Sequence, residues 1–218
     1  VPAGGGAMEL AWLLLEGMGI GVAVAAPVGP VGLLCIQRTL QDGTAVGLAT
    51  GLGAATADGL FGAVAAFGLA SIADYLVDHA TAIRLIGGVV LFVLAWRAWR
   101  RTLPRVKPDV PVHVRLLGGY ATGLGITLSN PMTIMGFVGI FATLGLSDLA
   151  SGTGRVSLLV LGVLLGSGAW WLGLCAGTIA LKPRFGPQSL SWTNRLAAVL
   201  LVVFGAVAIA GPLLPGMS

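Results

Sequence analysis

The sequence predicts an all-α membrane protein of six transmembrane helices, built as two inverted three-helix repeats in which helices 1 and 4 are broken. Three observations predict it. The 218 residues are 56% hydrophobic and only 9% charged, with a mean hydropathy of +0.97, whereas soluble domains carry about a quarter charged residues. The apolar residues fall into six long runs separated by charges. Prolines interrupt the first and fourth runs near their middles, at Pro27, Pro30 and Pro131.

Taken in order, residues 1–7 are small, uncharged and glycine-rich, without the basic region of a cleavable signal peptide. Met8 reads as the native start and the residues before it as a tail. The first run covers 10–36 and holds Ala25-Ala26-Pro27-Val28-Gly29-Pro30-Val31-Gly32. Each proline removes a backbone donor and clashes one turn back, so no regular helix passes through both. The second run, 44–73, contains a single charge, Asp58. The third, 80–99, has Arg84 near one end and Arg97 near the other. The fourth, 116–147, is uncharged and has Asn130-Pro131 at its centre; the fifth is 156–181 and the sixth 196–214. About 20 apolar residues cross the hydrocarbon core, so each run qualifies. The second and fourth are longer than needed, which implies tilt, a break or both.

Ten of the twelve Lys and Arg residues lie after the first, third and fifth runs or, for Arg97, at the end of the third. Basic loops stay in the cytoplasm, which puts both termini outside. The proline-rich segment 100–115 reads as a basic cytoplasmic linker between repeats 9–99 and 116–215 of one transmembrane domain, 1–218. Its charge serves topology or, alternatively, binds anionic lipid heads. The halves share a pattern: Gly19, Gly21, Pro27 and Gly32 recur as Gly123, Gly125, Pro131 and Gly136 at an offset of 104. With three crossings per half, the second copy enters from the opposite face.

Freed backbone groups at mid-membrane are tolerated only against protein or a watery cavity, and broken helices mark transporter substrate sites. Asp58 lies fourteen residues past Thr44, roughly 21 Å along a helix, near the bilayer centre. An acid there costs about 2.5 kcal/mol or more to insert. It reads as a cation or proton site, or as a hydrogen-bonded carboxyl that locks helix packing. Asn130 and Pro131, with Ser129, Thr127 and Thr133 beside them, form the second candidate; a simple bend is the alternative. Open helix N-termini suit a carboxylate, while freed carbonyls and Asp58 suit an ammonium group. Gln37 and Arg38 form a gate or, alternatively, Arg38 snorkels to the interface. Trp170 and Trp171 are too deep for an interfacial belt, and wall a cavity or pack as aromatics. Trp96, Trp99 and Trp192 look like interfacial anchors, and His79 and His113 receive no ligand role.

Enzyme motifs such as the P-loop, HExxH and GxSxG do not occur, so no enzyme, cofactor or resident metal is expected. The basic balance belongs to membrane orientation and not to nucleic acid. Cys35 and Cys175 both fall inside apolar runs, with no CxxC pattern, and read as buried packing residues.

Ala26-Pro27-Val28-Gly29-Pro30, the Arg38-Thr39-Leu40-x-x-Gly43 turn, the glycine-rich second run with Asp58, and Ser129-Asn130-Pro131 together resemble the lysine exporter (LysE) family of translocators. Many members read Pro-Gly-Pro in the first motif, where Val28 intervenes here. Many read Asn-Pro-Lys in the second, where Met132 follows Pro131 here. The resemblance implies proton-motive export of amino acids or related small solutes from the bacterial cytoplasm, and a homodimer. The expected function is secondary export of an amino acid or small amine. Pro27, Gly29, Pro30, Asp58, Ser129, Asn130, Pro131 and Thr133 are its expected binding residues, and Gln37, Arg38 and Trp171 the gate candidates. Heavy-metal cation efflux is the alternative. A membrane thiol–disulfide electron conduit ranks below it, because it needs two cysteines that approach and neither lies near a proline break.

Overall fold

Two proline-flanked interruptions and a set of glycines determine how the helices pass one another. The computed structural model describes residues 4–27, 29–67, 79–100, 111–130, 133, 137, 153–182, 195, 198–204, 206 and 209. These form helices α1 (Gly4–Ala25), α2 (Pro30–Gln41), α3 (Thr44–Ala66), α4 (Ala80–Arg100), α5 (Val112–Leu128) and α6 (Thr153–Leu181). Residues 198–204 are also helical, and no strand occurs among the described residues.

The first run breaks where the prolines require. Ala26 N–H still bonds to Val22 O, but Pro27 has no donor, and α2 restarts with Pro30 as its first residue. Proline suits that position because its missing N–H would be unpaired there anyway. α2 then turns back at Asp42-Gly43, where Gly43 takes φ 101°, a conformation costly for side-chain-bearing residues. The fourth run also breaks. α5 stops at Leu128, Asn130 N–H bonds three residues back to Thr127 O, and Thr133 is again helical. Pro131 lies outside the described residues. α5 starts at Val112, four residues before the predicted span, so residues 112–115 of the expected linker are its first turn, with Pro111 as N-cap.

α1 runs parallel to α6. A Cβ on Gly17 would stand 2.2 Å from Leu159 O, and one on Gly21 would stand 2.1 Å from Val163 O. Gly162 and Gly166 meet Leu14 O and Met18 O in return. α3 runs parallel to α5 by the same device: a Cβ on Gly123 would lie 1.9 Å from Thr50 O, and one on Gly53 2.1 Å from Tyr120 O. Small residues let backbones approach this closely, and dispersion contacts then hold helices together where lipid removes the hydrophobic drive. The predicted glycine register shifts in the structure. Gly19 and Gly125 meet nothing within 4 Å. The tight pairs are Gly17 with Gly21 and Gly119 with Gly123, an offset of 102 (119 against 17).

Arginine contacts mark the two ends. Glu9 of α1 bridges Arg155 of α6 at one end. At the other, Arg115 at the start of α5 donates to Asp42 O in the α2–α3 turn. Large apolar side chains on the outer faces, such as Trp12, Ile86, Val89 and Trp96, are exposed, as expected of helices that face lipid. Three described helices are long and apolar enough to span a membrane: Met8–Ala25, Thr44–Ala66 and Thr153–Leu181. Within α4 the apolar part, Leu85–Arg97, is shorter.

Gly123→Ala is expected to cost about 1–3 kcal/mol through overpacking against the Thr50 carbonyl, read as a lower melting temperature in detergent. Gly19→Ala, at a position with nothing within 4 Å, should leave melting within about 0.5 kcal/mol of the parent.

Candidate functional site: a cavity between two broken helices

Both interruptions open onto one cavity. It has a volume of about 50 Å³, and its walls include Pro27, Gly29 and Pro30 from the first break, Thr127, Asn130 and Thr133 from the second, and Asp58 and Trp171. Each end of this wall has a local cause. Pro30 starts α2, so the N–H groups of Val31 and Gly32, which also line the cavity, belong to a first turn with no intrahelical acceptors. Gly29, the N-cap, makes no side-chain cap bond to them. The positive pole of α2 therefore faces the cavity, with the negative end of α1 beside it.

Asp58 is opposite. It sits on α3 and is 2% exposed. Ser167 Oγ donates to Asp58 Oδ2 at 2.6 Å, and Trp171 Nε1 donates to Ser167 Oγ at 3.2 Å. Ser167 and Trp171 are one turn apart on α6, so one helix face supplies both donors. Trp171 reaches this position because Gly51 leaves room: a Cβ there would lie 2.6 Å from the Trp171 Cβ. Both readings open for Trp171 in the sequence apply: it lines the cavity and packs in the buried cluster that holds Cys35 and Cys175. Trp170 lines a separate apolar hollow.

Pro27, Gly29, Pro30, Asp58, Asn130 and Thr133 of the expected set thus line one cavity. Ser129 does not line the cavity, but packs against Gly87 of α4. Gln37 and Arg38 lie roughly 12 Å further along α2, at its 1.5 Å rise per residue. Gln37 is buried. Arg38 does not snorkel outward. Its guanidinium donates to Thr50 Oγ1 at 2.8 Å, Gly119 O at 3.3 Å and Thr122 Oγ1 at 3.2 Å. It ties α2 to α3 and α5 between the cavity and the Asp42 end.

Two features escaped the sequence. Ser167 carried one signal, a hydroxyl four residues before Trp171 in an apolar run. The cysteines carried none, being 140 residues apart, yet Cys35 Sγ lies 3.5 Å from Cys175 Sγ and both are buried. The expected burial is observed. The premise that they stay apart is corrected, because α2 continues the line of α1 alongside α6 and carries Cys35 to Cys175.

Apolar spans and paired helix breaks on a shared cavity with a buried carboxyl are features of membrane transporters. The chain belongs to the LysE type translocator family, whose model matches residues 22–211. It is 30% identical over 195 residues to the Bacillus subtilis (strain 168) protein named "Putative amino acid efflux protein YcgF", covering 85% of this chain and 90% of that one. It is 32% identical over 109 residues to "Uncharacterized membrane protein YahN" of Escherichia coli (strain K12), a match spanning 49% of each chain. No solved structure matches.

Removing the Ser167 hydroxyl leaves Asp58 short of a donor in a buried setting, which costs about 1–3 kcal/mol. Ser167→Ala and Asp58→Asn, alone and combined, should show a coupling above about 0.5 kcal/mol in detergent melting. Simple additivity would separate the two side chains.

Proposed function

We propose that this LysE type translocator is a secondary exporter of an amino acid or similar small amine, driven by the proton-motive force across the bacterial inner membrane. The observation that carries the reading is the cavity itself, with the α2 N-terminus and the Asp58 carboxyl on the same walls. A zwitterion uses both poles: its carboxylate takes the open N–H groups of α2, and its ammonium takes Asp58 with the polar side chains of Asn130, Thr127 and Thr133. The Bacillus relative named for amino acid efflux supports the substrate class.

A water needs about 10–15 Å³ of such space, so a cavity of about 50 Å³ has room for a few waters and not for an amino acid. The structure is read as a closed form between two access states. Arg38, clamped to α3 and α5, is the cytoplasmic gate. The parallel pairs α1 with α6 and α3 with α5 are those that two inverted three-helix repeats would make, one helix of each half against one of the other. Arg38 and Arg115 cluster at one end and Arg155 at the other, which supports a cytoplasmic assignment for the Asp42 end and outward termini. Pro131 belongs to the second break in this reading, Ser129 supports the break against α4, and a homodimer is the expected assembly.

Heavy-metal efflux has less support. Metals want several oxygen, nitrogen or sulfur ligands, and among the described residues no three of His, Cys, Asp and Glu gather.

Counterflow of labelled amino acids in proteoliposomes, with and without a pH gradient, tests the proposal. Asp58→Asn should insert and fold yet lose coupled transport at least a hundredfold. Parental coupled rates in that variant would remove the carboxyl from the mechanism.

A further inference from the structure

The two cysteines are the only ones in the chain, and they meet. Cys35 is one turn past Val31 on α2, and Cys175 is one turn past Trp171 on α6; Val31 and Trp171 both line the cavity. The sulfurs are 3.5 Å apart, with Cys35 Sγ donating to Gly47 O at 3.1 Å. A disulfide requires about 2.05 Å, so the sulfurs need approach by only roughly 1.5 Å. Exposures of 0% and 3% keep bulky reagents out. Residues flanking the pair, however, line an apolar hollow of about 420 Å³: Ile36 next to Cys35, and Leu174 and Thr178 around Cys175, with neither sulfur on its wall. That space admits a molecule as small as hydrogen peroxide.

We propose that Cys35 and Cys175 are a reversible oxidation site, whose disulfide pins α2 to α6 one turn beyond the cavity and stops the wall from opening. The oxidant is a small hydroperoxide. One sulfur attacks the O–O bond, which breaks as an S–O bond forms, giving a sulfenic acid and releasing water. The second sulfur then attacks the first, the S–S bond forms, the S–O bond breaks and a second water leaves. The two sulfurs lose two electrons in total, and one peroxide becomes two waters. A dithiol small enough to enter the same 420 Å³ hollow reverses the bond by exchange. Two buried cysteines often do no more than pack. Here they face each other across two different helices, one of which carries the proposed gate residue Arg38, so their bond constrains relative motion that mere packing would not.

The bond itself does not depend on the transport reading; its effect on transport does. The test uses the full chain in proteoliposomes treated with hydrogen peroxide. Mass-tagging with maleimide after denaturation should count two thiols before treatment and none after, and digestion should yield one peptide joining residues 35 and 175. Amide hydrogen exchange across 30–41 should slow at least tenfold and recover with dithiothreitol. Where reduced protein shows amino acid counterflow, oxidation should lower it at least tenfold, and Cys35→Ala and Cys175→Ala should retain the rate and ignore peroxide. Two persistent thiols, or a cross-link with unchanged exchange, would overturn the proposal. Absence of counterflow in reduced protein counts against the exporter reading alone, because the thiol count and the exchange rates still decide the lock.

Discussion

Backbone donors stripped of partners in an apolar medium are the constraint that shapes this protein. Pro27 and Pro30 leave a gap that no helix closes, and every unpaired N–H or carbonyl in hydrocarbon costs several kcal/mol. The chain meets this by bringing the gap against protein. α1 and α2 lie in sequence along α6, a helix of 29 residues and so roughly 43 Å long. Their junction falls beside Ser167 and Trp171, with Asp58 across from it. The interruption, the carboxyl and the polar side chains that serve it are therefore one arrangement, and removing any member leaves buried polarity elsewhere.

Glycine makes that arrangement reachable. With side chains at Gly21 or Gly123, the backbones of α1 and α6, or of α3 and α5, would stand too far apart for the breaks to share one cavity. Gly51 has a narrower task, seating the Trp171 indole so that its N–H reaches Ser167. Arg38 then closes the bundle on one side through α3 and α5. Held closely at the glycine contacts and interrupted at the prolines, the helices are rigid along their length and jointed where the cavity lies. The proposed alternating access would use that division of stiffness.

Much of this is legible in the sequence. Two prolines three residues apart cannot be read as continuous helix, and a lone aspartate in thirty apolar residues demands a polar neighbour; both inferences follow from local chemistry. The meeting of Asn130 and Thr133 with Pro27 followed from matching the two halves. What stayed hidden depended on rotation about helix axes, which a repeat offset does not specify. Gly19 and Gly123 align by number, yet Gly19 is open and Gly123 tight. Ser129 sits beside Asn130 in sequence but turns to Gly87. Cys35 and Cys175 meet only because α2 follows α6 in register, which no spacing within one segment reveals. The first turn of α5 is hidden in the sequence because Pro111 reads as connector, whereas it is the N-cap of a helix.

The meeting of the two interruptions is most directly tested by cross-linking across the cavity. In a chain with Cys35 and Cys175 replaced by alanine, Gly29→Cys and Asn130→Cys should be joined by a short bifunctional thiosulfonate within single molecules in the membrane, while Gly19→Cys and Asn130→Cys should not. Bridging at the second pair, or none at the first when each thiol alone is modified, would contradict a shared cavity between the broken spans.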